Sequence, residues 1–246
     1  MSILRVIGKV LGVFIFSFFL GASIFTASFI ELTEYDNLKP IIVDLFSKQL
    51  TENVTEEQIS ETHSSLLYQC TNKETIEMPV NEINITLNCS KIRGTEAEEL
   101  SSLIGVKVLN KIYYEKYECE FIECLRETKG YPVVLFSAHA NNFFKSVEKF
   151  LWIGTVIGAI ILFISLKTWS WRLKNFGIVL IFTGILYFLL NFIKGYIPAE
   201  AMAVASPLVD QIFNSISTKL LIIFTLGIIL TALGYSLKYL IKKKTS

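Results

Sequence analysis

Residues 10–30 read VLGVFIFSFFLGASIFTASFI, 21 residues without a charge. Coiled as an α-helix, such a run is roughly 31 Å long, which matches a hydrocarbon core of about 30 Å. The chain is therefore expected to be a membrane protein. Its 52% hydrophobic content and mean hydropathy of +0.51 agree, because one soluble domain of 246 residues could not bury that much apolar surface. Arg5 and Lys9 precede the run, as they would in a signal peptide, and Gly21-Ala22-Ser23 and Thr26-Ala27-Ser28 offer small residues for cleavage. The run is longer than a signal core, so an uncleaved anchor is expected. Gly8 and Gly12, and then Ser17 and Gly21, stand four apart, a spacing that lets another helix approach closely.

Working outward, three more apolar runs follow at 150–166, 176–193 and 220–237. Arg5, Lys9, Lys167, Arg172, Lys174, Lys238, Lys242, Lys243 and Lys244 lie in three short segments that hold no acid. The positive-inside rule makes those segments cytoplasmic. The expected order is a cytoplasmic N-terminus (1–9), a first span (10–30), an outer domain (31–149), a second span (150–166) and an inner loop (167–175). A third span (176–193), an outer loop with an amphipathic helix (194–219), a fourth span (220–241) and a cytoplasmic tail (242–246) complete it. The fold class expected is a mainly α membrane protein: a four-helix transmembrane bundle with a mainly helical α+β extracytoplasmic domain between spans 1 and 2. The ending Lys243-Lys244-Thr245-Ser246 also matches a dilysine retrieval signal, so in a eukaryotic cell the endoplasmic reticulum is the alternative to the cell membrane.

The outer domain holds 20 of the 22 acidic residues against 12 basic ones, about −8. Such a surface repels nucleic acid and anionic lipid. Asn37 is expected to cap a helix with Pro40 near its first turn, and Ile41, Ile42, Leu45, Phe46 and Leu50 share one face. Thr55 and Gln58 form a capping box before Ile59, His63, Leu66, Leu67 and Cys70 at helical spacing. Alternation of Ile76, Met78 and Val80, then of Ile83, Ile85 and Leu87, reads as a hairpin turning at Asn81-Glu82. Thr95 and Glu98 suggest another capping box ahead of a helix running to about Tyr114.

All four cysteines, Cys70, Cys89, Cys119 and Cys124, fall in this domain, which points to two disulfides in an oxidising compartment. Three connectivities are possible, and Cys70 with Cys89 and Cys119 with Cys124 is the pairing expected. The acids around Cys119 and Cys124 oppose a thiolate role. Asn53, Asn84 and Asn88 begin glycosylation sequons. Gly154 and Gly158 form a GxxxG helix-packing motif in the second span. Lys145 and Lys149 stand in the outward continuation of its stripe, and Trp169 and Trp171 suit the inner headgroup level. In the second outer segment, Gly195, Pro198 and Pro207 should break any single helix, with Ser206 and Pro207 opening a short one. A re-entrant pore loop there would lack a filter motif.

The centres of the spans hold no Asp, Glu, His, Arg or Lys, the residues that proton relays and coupled transport use. Ser17, Thr155, Thr183, Tyr187 and Thr225 are the polar groups at depth, expected to bond between helices. His139 has no second histidine at ligand spacing, so no metal or cofactor is expected. No phosphate loop or nucleophile elbow occurs. The four-span order with a large first outer loop is that of claudin-like proteins, but the outer domain has no tryptophan to supply their loop signature. The Cys-Cys-Gly of tetraspanins is also absent. Thr33-Glu34-Tyr35-Asp36-Asn37-Leu38 and Ile112-Tyr113-Tyr114-Glu115-Lys116-Tyr117-Glu118-Cys119 are similar to uncharacterised four-span archaeal membrane proteins, a resemblance that implies no activity.

The function expected is non-enzymatic: an acidic outer domain, anchored in membrane lipid, that binds a protein partner or self-associates at the cell surface. A channel or transporter subunit is the alternative. A thiol-disulfide redox enzyme resembling the disulfide-generating quinone reductases is the third reading, although those place their cysteine pairs in two different loops.

Overall fold

The computed structural model describes residues 3–53, 55–80, 83–127, 133–194 and 199–244. In chain order the elements are α1 (Ile3–Leu32), α2 (Tyr35–Asn53), α3 (Glu56–Gln69), β1 (Thr75–Val80), β2 (Ile83–Asn88), α4 (Cys89–Arg93) and α5 (Leu100–Tyr113). Then come α6 (Phe121–Glu127), α7 (Ala138–Ser165), α8 (Trp169–Lys194) and α9 (Ala199–Lys244). They form two compact units, one of residues Thr33–Phe143 and one of the chain on either side of it. The first unit is thus narrower than the 31–149 expected, and Glu31 belongs to the helices.

Among the described residues, four helical stretches are long and apolar enough to cross a membrane: Arg5–Leu32, Ala138–Ser165, Trp169–Ile193 and Val209–Leu240. Phe16, Leu20 and Ile24 of α1 form a common core with Leu162 of α7, Val179 of α8, and Ile216 and Leu220 of α9. Phe16 meets Phe176 edge to face, with ring centroids 5.5 Å apart. Glycine sets the helix pairs inside this core. A Cβ on Gly12 would stand 2.7 Å from the Leu162 amide nitrogen, and one on Gly158 would stand 2.6 Å from that of Phe16. The α8–α9 pair is as close, since a Cβ on Gly227 would lie 2.7 Å from the Ile181 nitrogen and one on Gly234 2.6 Å from that of Lys174. Only a residue without a side chain fits where backbones come this near.

Four expectations about these helices are corrected. Pro207 does not break the chain, because α9 continues through it as one helix of 46 residues. Ile212 and Ile216 of the expected amphipathic helix pack in the bundle core, and that packing outweighs the one hydrogen bond proline removes. The inner loop shrinks to Leu166–Thr168, because Thr168 Oγ1 accepts from the Trp171 amide and opens α8 early. Thr155, Thr183 and Thr225 donate to carbonyls four residues back in their own helices, not to neighbouring helices. Gly21 faces open space and brings no helix close.

In the Thr33–Phe143 unit, β1 and β2 pair antiparallel with Ile76 opposite Leu87 and Pro79 opposite Asn84, as the alternation predicts. The turn at Asn81-Glu82 lies outside the described residues. Ile76, Ile85 and Leu87 pack with Leu66, Ile92, Ile104 and Val108 in a second core. The Thr55–Gln58 capping box is present at the start of α3. Of the expected Thr95–Glu98 box, the Glu98 side chain lies outside the described residues, and Glu96 rather than Thr95 is the N-cap of the turn that follows. Thr95 Oγ1 instead donates to the Lys91 carbonyl at 2.7 Å, and a 3-10 turn, Ala97–Glu99, leads into α5. Asn37 is not the N-cap expected, since α2 begins at Tyr35 and carries Pro40 inside it.

Candidate functional site

The hairpin and α3 build a groove that carries charge of a single sign. Ile76 points into the core, so Glu77 next to it points out. Glu61, Ser65 and Gln69 follow one another at intervals of four along the exposed side of α3. With Thr62 and Pro79 they line a depression of about 530 Å³ that contains two carboxylates and no cation. Such a groove complements cationic or hydrogen-bond-donating groups.

Its walls are fixed from behind. Cys70, at the end of α3, pairs with Cys89, at the end of β2, with Cα atoms 5.3 Å apart, and both are fully buried. Arg93 adds a hydrogen bond of 3.1 Å to the Cys70 carbonyl, and the Cys89 amide donates to the Glu74 carbonyl at 2.9 Å. His63 Nε2 lies 3.3 Å from the Ile92 carbonyl, so the histidine serves the packing of α3 against α4. Cys119 and Cys124 form the other pair, with Cα atoms 5.5 Å apart. Both pairs have the connectivity expected.

Of the sequon asparagines, Asn84 is exposed on β2 directly opposite Pro79, beside the groove. Asn88 is the N-cap of α4, its Oδ1 accepting from the Ser90 amide at 2.9 Å. The Asn53 side chain lies outside the described residues. Tyr35, Tyr113 and Tyr114 form an aromatic cluster with centroids 5.0 to 5.7 Å apart. Burial pushes the phenols of Tyr35 and Tyr113 above their ordinary range. His139 lies between Tyr117 and Phe121, and its buried Nε2 has no hydrogen-bond partner. No group of three His, Cys, Asp or Glu that could hold a metal occurs among the described residues.

The helical unit has its own polar cluster, which the sequence did not announce. Lys219 Nζ on α9 pairs with Glu31 of α1, and it donates to Ser215 Oγ at 2.6 Å and to Ser28 Oγ at 3.3 Å. Ser215 Oγ donates in turn to Glu31 Oε2 at 2.7 Å. Glu31, Ser215 and Lys219 line a cavity of about 520 Å³ with Gln211, whose buried Oε1 has no partner among the described residues. Gly154 and Gly158 lie elsewhere, against Phe19 and Phe16 of α1, where they serve helix packing. No protein-family model, curated protein or solved structure matches this chain.

Proposed function

We propose that the chain is a non-enzymatic integral membrane protein whose acidic Thr33–Phe143 unit faces the outside and mediates protein–protein contact at the cell surface. The observation that carries this reading is the acid-lined groove between α3 and β1, held by a fully buried disulfide. A rigid wall with fixed charge costs little ordering entropy on binding and selects its partner by charge. The burial of Cys70 and Cys89 favours a structural over a redox role, since exchange needs an accessible sulfur. Purification from native membranes in mild detergent, crosslinking and mass spectrometry test the proposal. The expected result is a stoichiometric protein crosslinked at α3 or β1, lost in the double variant Glu61→Lys, Glu77→Lys. Recovery of the chain with no crosslink to this groove would refute it.

The Glu31–Lys219 cluster favours a second reading, a channel or transporter subunit, because it sets a polar cavity against α1 and α9 of the bundle. Ion flux in reconstituted liposomes that is absent from Lys219→Met vesicles would support it.

A further inference from the structure

At the opposite end of the same helical unit lies a groove of another kind. It has a volume of about 690 Å³ and is lined almost wholly by apolar atoms, a size within the roughly 300–1,000 Å³ of sites that enclose a small ligand. Val6, Val10, Val13 and Phe14 of α1 form its long wall. Arg5 and Lys9 stand at its mouth. A smaller depression of about 360 Å³ shares Arg5, Ser165, Leu166 and Trp171 with it and adds Lys167 and Thr168. The joint lining has three cations and no acid.

We infer that this groove is a binding site for one anionic phospholipid, whose acyl chain lies along α1 while its phosphate sits among Arg5, Lys9 and Lys167. Charge complementarity and shape together select this occupant. An apolar slot beside helices that cross a membrane fills with hydrocarbon, and its charged mouth decides which headgroup is retained. A zwitterionic headgroup finds no carboxylate there for its cationic end. A second copy of the chain packed by two-fold symmetry would bring the same three cations against themselves. Trp171 is suited to the headgroup level, lying 5.9 Å from Lys9 Nζ and 5.6 Å from Lys174 Nζ. Arg172 is engaged elsewhere, stacked 4.0 Å over Phe163 and bonded to the Leu166 carbonyl, so it leaves the mouth to the other three. The inference depends only on the helices being in a membrane, not on what the acidic unit binds.

The chain has three tryptophans, which makes the test direct. Trp152→Phe with Trp169→Phe leaves Trp171 as the reporter, and Trp169→Phe with Trp171→Phe leaves the lipid-exposed Trp152 on α7 as the control. Each protein is reconstituted in vesicles of brominated phosphatidylglycerol or brominated phosphatidylcholine mixed with the unbrominated lipid, and quenching is measured. Trp171 is expected to show about a fivefold or greater preference for phosphatidylglycerol, the effect of even one retained cation, and Trp152 a ratio near one. Substitution of Arg5, Lys9 and Lys167 by Gln should bring the Trp171 ratio to that of Trp152. Unchanged quenching of Trp152 in a matching background shows that this variant is still folded. Equal ratios at the two tryptophans before substitution, or a preference that survives the loss of the three cations, would overturn the inference.

Discussion

Asn141 Nδ2 donates to Thr33 Oγ1 at 3.0 Å across 108 positions of sequence, and both side chains are buried. Thr33 opens the acidic unit and Asn141 lies near its end, so this contact ties the two chain ends where they enter and leave it. Asn141→Leu should cost about 1–3 kcal/mol, since it leaves a buried polar group to be satisfied by others. Thr33→Val should cost a similar amount, and the double variant less than the sum of the two. Denaturant unfolding of the three proteins measures the coupling.

The two disulfides should differ in worth. Cys70–Cys89 encloses a separation of 19 residues and Cys119–Cys124 one of 5, for which chain entropy gives about 3 and about 2 kcal/mol. Replacing each pair by Ala and comparing unfolding midpoints should place the first variant lower, the more so because its cysteines are fully buried in the core.

The tyrosine cluster makes a prediction for alkaline pH. Desolvation raises the folded-state values of Tyr35 and Tyr113 above those of the unfolded chain. The folded protein then holds protons that the unfolded chain releases, so ionisation favours the unfolded chain and stability falls as pH passes about 10. Stability from this source is therefore complete below about pH 10 and is lost as pH rises past it. Tyr35→Phe with Tyr113→Phe should flatten that decline, as followed by unfolding at pH 9 to 11.

Glycine at the helix seams should be irreplaceable in some places and not in others. A Cβ on Gly227 would meet backbone of α8 at 2.7 Å, whereas one on Gly21 would meet nothing within 4 Å. Gly227→Ala is expected to cost about 1–3 kcal/mol through overpacking. Gly21→Ala should be neutral or slightly stabilising. Unfolding in mixed detergent micelles separates them.

Features governed by a short period are legible in the order of residues alone. Ile76, Met78 and Val80 alternate because a strand has two faces, and Thr55 with Gln58 announces a helix start because both bonds close within four residues. The apolar runs declare themselves by length. What fails is local grammar overruled by packing. Pro207 sits inside α9 because Ile212, Ile216 and Leu220 have a core to join, and Thr95 spends its hydroxyl on Lys91 before it can cap anything. The Lys219–Glu31 pair, 188 positions apart, has no signal, because no spacing rule reaches that far. Gly177 and Gly184, and likewise Gly227 and Gly234, stand seven apart, and that repeat is the one trace of the α8–α9 seam in the sequence.

Those glycines also determine how the bundle can move. Backbone meets backbone within α1–α7 and within α8–α9, whereas α1 meets α8 and α9 through side chains, among them the Phe16–Phe176 ring pair and the Lys219 bonds to Glu31 and Ser28. Rotamer changes can absorb displacement at the second kind of contact and not at the first. Mechanically the four helices are two stiff pairs, and shear between them requires the Phe16–Phe176 rings to slide and the Lys219–Glu31 pair to part.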